Sequence, residues 1–433
     1  MMKPLKMLLA AALPLTLLSA CGNNSETAAP VESPKTEAVS TTAPATSAQP
    51  EATSITAPME FPKPIGKYTV GRTQMDFKYT ASDQSERDLT ALFFYPADSN
   101  EGKPAAEYAF PEFQALRDEL LVKLGAPAGA EVLFNPNFKT WVYEDLALSG
   151  KEKQYPVIFY VHGAGAYPQQ GTLYAQDLAS SGYIVVSIGH PGSGVYKLKD
   201  GRTAGMSESF MDDLVKYGME AATLTTPQLV TEKLGEEEAL KTSRQLTSAP
   251  EAVKFAKYAN LQSEDVSSVA DRLYELNTGD IESMFKNKLQ LDPGIGIFGH
   301  SFGGTTAALV SRDDDRFVGA VNLDGNMLGA LDSDLKKPFL QLGTVLAYNT
   351  NAFLLESNSR DTYFAIIDNV VHADFSDSLF TATGTSARGT RDALDQRNII
   401  TTYTKAFFDN YLLKQATDLD SLTFDGVEMI KKP

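Results

Sequence analysis

Residues 295 to 304, Ile-Gly-Ile-Phe-Gly-His-Ser-Phe-Gly-Gly, constrain this chain more than any other stretch. Ile295 to Phe298 reads as a short buried strand, and Thr305 to Val310 begins a helix. Between them Gly299 and Gly303 frame Ser301 in a G-x-S-x-G pattern. The turn is too sharp for side chains at the flanking positions, and it leaves the serine hydroxyl clear at its tip. The pentapeptide alone turns up often by chance. With a strand before it and a helix after it, the pattern predicts a nucleophilic serine at Ser301.

The start of the chain lies outside any such fold. Lys3 and Lys6 precede an apolar run, Met7 to Leu18, too short to span a bilayer comfortably. The run ends in Leu18-Ser19-Ala20-Cys21-Gly22, which resembles the lipobox of bacterial lipoproteins. The resemblance implies a signal peptide over 1–20, cleavage before Cys21 and acylation of that cysteine. It also implies a bacterial cell-envelope protein anchored by lipid, with the outer membrane as the expected site. Cys21 is the only cysteine among 433 residues, so intramolecular disulfides are excluded and stability must come from the core. Residues 22 to about 60, rich in Ala, Thr, Ser, Pro and Glu, cannot bury enough surface to offset their ordering entropy. The segment 21–60 is therefore read as a lipidated tether, and 61–433 as the folded domain. A net charge of −17 supplies no basic footprint for nucleic acid and argues against electrostatic docking on anionic lipid.

Tyr68 to Val70, Gln74 to Thr80 and Leu89 to Tyr95 have the composition of antiparallel strands that start a sheet. Phe113 to Leu124 has helical spacing within an otherwise irregular excursion over 110–150. Pro156 to Val161 is continuously apolar, as a central strand covered on both faces must be. It runs into His162-Gly163-Ala164. Leu173 to Ser181 reads as a helix closed by Gly182, and Tyr183 to Ile188 as the next strand. About 100 residues, 193–292, then separate that strand from the nucleophile strand, whereas a crossover helix needs only about a dozen. Val266 to Leu276 fits the crossover. The rest, Glu- and Ala-rich over 219–258, reads as helices inserted over the sheet's carboxyl edge, a cap shaping the pocket. Phe317 to Leu323, Pro338 to Leu342 and Tyr363 to Ile367 read as further strands, and Leu394 to Leu412 as a helix packed on the sheet.

These elements describe an α/β-hydrolase fold: a mostly parallel central sheet flanked by helices, with a helical cap insertion. In such a fold the N–H groups of Ala164 and of Phe302 are the candidate oxyanion donors. Asp324 follows the strand Phe317 to Leu323, while the next strand ends in Gly343-Thr344 with no acid nearby. Of the four histidines, His372 alone satisfies the chain order Ser, Asp, His. His190 reads as a packed structural histidine near the pocket rim, and Asp313 to Asp315 as a solvated acidic run.

Val157 to Gly163, Asp177 to Tyr183, Gly299 to Gly304, Val321 to Gly325 and His372 together resemble the plasma-type platelet-activating-factor acetylhydrolases. The likeness to bacterial dienelactone-hydrolase-like esterases is closer still. The resemblance implies a calcium-independent serine esterase with a Ser-Asp-His triad, needing no cofactor and no metal. It further implies a hydrophobic ester or phospholipid substrate, cleaved at an sn-2 acetyl or short acyl group. No metal-ligand spacing or dinucleotide fingerprint is present. A strict dienelactone hydrolase would carry cysteine at position 301. A cutinase-like polyester hydrolase would be compact, against the long insertion. A non-catalytic envelope binding lipoprotein would be expected to have lost a member of the triad.

Overall fold

A computed structural model describes residues 59–110, 138–329, 334–381 and 388–432. Cys21, the leader, nearly all of the tether and the helix expected over Phe113 to Leu124 lie outside the described residues. The domain's first two strands, β1 (Thr69–Thr80) and β2 (Glu86–Ala97), form an antiparallel hairpin in unbroken register from Thr69 opposite Ala97 to Thr80 opposite Glu86. The two short runs expected before Thr80 therefore join into one strand, because β2 supplies a continuous ladder beside both.

The remaining strands of the main sheet are β3 (Val142–Glu144), β4 (Tyr155–Val161), β5 (Ile184–Gly189), β6 (Ile295–His300), β7 (Phe317–Leu323), β8 (Phe339–Gly343), β9 (Thr362–Ile367) and β10 (Val427–Lys432). Their order is β10-β9-β8-β7-β6-β4-β5-β2-β1-β3, with the short strand Leu289–Gln290 pairing on β4. From β5 to β9 the neighbours are parallel; β10 is antiparallel to β9, and β2 to β5. This is the α/β-hydrolase arrangement expected from the sequence. All seven residues of β4 are buried, and its alternate side chains serve different cores. Val157, Phe159 and Val161 pack in the cluster that holds Val266, Leu273 and Ala308. Ile158 and Tyr160 join Leu173, Leu178, Ile399 and Phe407 on the other face. Helices α1 (Thr172–Ser180) and α7 (Ala393–Tyr411) cover that second face.

The long connection between β5 and β6 is helical: α2 (Glu208–Leu224), α3 (Pro227–Thr231), α4 (Glu236–Thr247) and α5 (Pro250–Thr278). The expected crossover over Val266 to Leu276 is the C-terminal part of α5, which runs for 29 residues. Pro250 opens this helix, and the Glu220 carboxylate caps it by accepting the Glu251 N–H (2.7 Å) and the Ala252 N–H (3.3 Å). Gly279, at φ 90°, ends it. Val266, Val269, Ala270, Leu273 and Leu276 are buried toward the sheet as the spacing requires. Ala252, Phe255 and Ala259 are buried toward the insertion.

Midway along α5, Asp265 ties the helix to the sheet. Its carboxylate accepts from Arg87 Nε (2.9 Å) and Nη2 (2.6 Å), Tyr79 Oη (2.8 Å) and His190 Nδ1 (2.9 Å). Burial pushes the Asp265 carboxyl up, but the hydrogen bonds from His190 and Arg87 outweigh it and hold the group below its ordinary value. Burial pulls His190 down, so a neutral ring donates from Nδ1. His190 is thus wholly enclosed in an ion-pair network rather than set at a pocket rim. Removing one partner of such a buried pair costs about 3–5 kcal/mol. The acidic run also differs from expectation. Asp313 and Asp315 are exposed, but Asp314 accepts from Ser267 Oγ (2.8 Å) and Arg316 Nε (2.9 Å) and joins α5 to the start of β7.

Candidate active site

Helix α6 (Phe302–Asp313) follows β6 directly, and Ser301 is the hinge between them at φ 58°, ψ −125°. An L residue held there is strained, and the surroundings enforce it. The Ser301 N–H donates to Leu323 O (2.9 Å), and Ser301 O accepts from Gly304 N (2.9 Å). A Cβ on Gly299 would stand 2.2 Å from Gly303 O, and one on Gly303 would stand 2.1 Å from Val161 O. Only glycine lets the turn close on itself and on β4.

Asp324 leaves β7 in the same left-handed region, at φ 54°, with its N–H on Leu342 O (2.8 Å). A set of buried amides fixes this corner. Asn322 Oδ1 accepts from Gly325 N (2.8 Å), Asn351 Nδ2 donates to Gly325 O (2.7 Å) and to Gln341 Oε1 (3.0 Å), and Asn351 Oδ1 accepts from Met327 N (2.8 Å). His372 opens the turn after β9, where the Asp374 carboxylate accepts from Val371 N (2.9 Å) and Gly389 N (2.8 Å).

The three side chains meet. His372 Nε2 lies 2.9 Å from Ser301 Oγ, and His372 Nδ1 lies 2.7 Å from Asp324 Oδ2. The other carboxylate oxygen, Oδ1, accepts from Thr344 N (2.6 Å) and Thr344 Oγ1 (2.9 Å). The Asp324 side chain is 4% exposed and that of His372 is 17% exposed, so the imidazole is the more open of the two and the carboxylate lies behind it. His300, beside the serine, has no hydrogen bond to Ser301 or Asp324 among the described residues. Burial holds it well below the ordinary histidine range, with His372 adding to the effect, and its Nε2 contacts His372 O at 3.1 Å.

The Ala164 and Phe302 N–H groups have no hydrogen-bond acceptor among the described residues, whereas Gly163, Gly165, Ala166 and Gly304 all do. Both candidate donors thus stay available for an incoming oxygen. The insertion reaches this turn. Phe302 packs against Phe255 (centroids 5.0 Å apart) and Phe210 (6.2 Å), and Tyr217 stacks flat on Phe255 (5.4 Å). A small cavity of about 20 Å³, partly open to solvent, lies between α2, the start of α5 and the loop that continues from Asp324. Leu224, Leu246, Ala252, Met327 and Leu328 supply its apolar wall. Thr344, Gln341, Asn351 and Asp265 escape a reading of the sequence, since nothing but tertiary contact distinguishes them from other polar residues.

A family model for platelet-activating factor acetylhydrolase, isoform II, matches residues 53–421. Similar characterised proteins include the platelet-activating factor acetylhydrolase of Bos taurus, 27% identical over 336 residues, covering 74% of this chain and 69% of the relative. That of Cavia porcellus is 26% identical over 369 residues, covering 81% and 78%. Among solved structures, a ferulic acid esterase from Streptomyces cinnamoneus superposes with a TM-score of 0.61 at 18% identity, covering 86% of this chain and 100% of the esterase. At that identity the superposition speaks for the fold alone. Fold, family match and relatives agree: the chain belongs to the platelet-activating factor acetylhydrolase, isoform II, family and is a carboxylic ester hydrolase.

Proposed function

We propose that the enzyme hydrolyses its ester through an acyl-enzyme on Ser301, with His372 as general base and Asp324 as the acid that orients it. The observation that carries this reading is the unbroken chain from Ser301 Oγ through the imidazole to the Asp324 carboxylate. Nδ1–H donates to Asp324, which leaves the Nε2 lone pair facing the serine hydroxyl. His372 takes the serine proton as Oγ attacks the carbonyl, and the Ala164 and Phe302 N–H groups receive the oxyanion. His372 then protonates the departing alcohol, and water repeats the cycle on the acyl-enzyme. Each oxyanion donor contributes about 3–4 kcal/mol to the transition state.

The substrate class that fits best is a hydrophobic ester with a short or medium acyl group, including an sn-2 acetyl or short-acyl phospholipid. The aromatic side chains Phe210 and Phe255 packed beside Phe302 and the names of the relatives support this reading. It takes the helices over 193–292 to be a cap that shapes the acyl site. A p-nitrophenyl ester series from acetyl to palmitoyl, run beside a short sn-2 phospholipid, tests it. A preference for insoluble polyester over all of these would replace it.

We also read Cys21 as the lipid anchor that holds the domain at the bacterial envelope on its tether. Two or more acyl chains would hold it stably. Cys21→Ser is expected to move the protein from the membrane pellet to the soluble fraction and to abolish palmitate labelling. Continued sedimentation with membranes would remove the anchor from the account.

A further inference from the structure

The turn that carries Ala164 has to be flexible and cannot be allowed to flex. A Cβ on Gly163 would stand 3.3 Å from Ser301 Cβ and 3.4 Å from His300 Nδ1, so the turn passes too close to the nucleophile for a side chain to sit easily. Glycine solves the crowding and brings the widest range of backbone angles of any residue. A donor at an oxyanion site is effective only when its direction is fixed before the charge develops.

Two peptide groups flank Gly163, and each is held. The downstream carbonyl, Gly163 O, accepts from Ala166 N (3.1 Å) and lies 2.8 Å from His162 Nδ1. Burial pulls His162 down to about 3, so the ring is neutral and donates from Nδ1. Because the peptide is planar and trans, pinning its oxygen on one side turns the Ala164 N–H to the other. The upstream group, the Gly163 N–H, donates to Gln170 Oε1 at 2.9 Å. An N–H can only donate, so the contact fixes which end of the Gln170 amide faces the turn.

We propose that Gln170 is a positioning residue: its side-chain oxygen locks Gly163 and so sets the direction of the Ala164 N–H toward the reacting ester oxygen. The assignment rests on the reading of Ala164 as an oxyanion donor. The main chain of Gln170 is held independently. Its carbonyl accepts from Asp377 N (3.0 Å), and the Asp377 carboxylate accepts from Thr172 N (2.9 Å) and Leu173 N (3.0 Å) at the start of α1. One residue thus joins the turn after β4, through its side chain, to the loop that follows His372, through its backbone. A change of side chain removes the first link and leaves the second.

Gln170→Met keeps the length and removes the acceptor. It is expected to lower kcat for a p-nitrophenyl ester by about 10- to 100-fold, the scale of a catalytic group misplaced by about an ångström, with KM within about twofold of native. The decisive readout is the ratio of kcat/KM for an oxo ester to that for its thiono analogue. Sulfur fits an oxyanion hole poorly, so the native enzyme is expected to favour oxygen strongly, and Gln170→Met to lose that preference by the same factor as kcat. The ratio does not depend on how much of the variant folds, and Gln170→Leu gives a second protein on which to read it. A native ratio retained in an active Gln170 variant, or a loss expressed in KM alone, would overturn the assignment. Ser301→Ala serves as the control. If it still turned over, the triad reading itself would fail, whereas a dead Ser301→Ala beside an unaltered oxo-to-thiono ratio would remove Gln170 and leave the triad standing.

Discussion

Ser301→Ala is expected to lower kcat for p-nitrophenyl acetate by about 10⁵- to 10⁶-fold and to abolish labelling by a fluorophosphonate. Folding should survive, because the backbone that holds position 301 does not depend on the hydroxyl. The N–H on Leu323 O and the carbonyl under Gly304 N both persist, and Gly299 and Gly303 still allow the closure. His372→Ala should cost a similar amount. The double variant should be no worse than either single one, since nucleophile and base act as one unit. An additive loss would mean that the two side chains work separately.

Asp324→Asn is the second large effect, about 10⁴-fold in kcat, and its reason is specific to this site. Thr344 donates twice to Oδ1, from its N–H and its hydroxyl. An asparagine at 324 must keep its oxygen toward Thr344 and turn its NH₂ toward His372. The imidazole then accepts at Nδ1 and carries its proton on Nε2, where it cannot take one from Ser301. Stability should change little, and the distance between histidine and serine should be kept. A variant within tenfold of native would place the acid elsewhere. Thr344 Oγ1 also accepts from Ala347 N (3.3 Å) at the cap of a helix over Val345–Asn351, so the residue that orients the acid is itself held in place.

What the sequence disclosed and what it withheld divide along physical lines. Strand β4 was legible because burial on both faces leaves an uninterrupted apolar run, and β6 and β7 because their runs are nearly so. Ser301 was legible because a strained turn demands glycine at fixed offsets, and His372 because the chain has only four histidines to weigh. The edge strand β10 was not, since Val-Glu-Met-Ile-Lys-Lys has one half-covered face and pairs only with β9. The full length of α5 was hidden for a different reason. One buried stripe runs from Ala252 to Leu276, but its N-terminal half includes Ala252, Ala259 and Gln262, too small or too polar to mark a face as Val266 to Leu276 do. Asp265, Thr344 and Gln170 lie deepest of all. A buried Asp or Gln announces itself only through its neighbours, and the neighbours of Asp265 come from β1, β2 and the loop after β5.

The length of α5 has a mechanical consequence. Many hydrolases admit substrate by swinging a lid, a motion that needs a hinge between the mobile part and the core. Here the helix that carries Phe255 to the side of Phe302 is the same rod that Asp265 rivets to Arg87 and that Leu273 and Leu276 bed into the sheet. It has no joint at which to bend between the two, so this wall of the site is as rigid as the sheet itself. Any opening would have to come from the shorter helices over Glu208–Thr247.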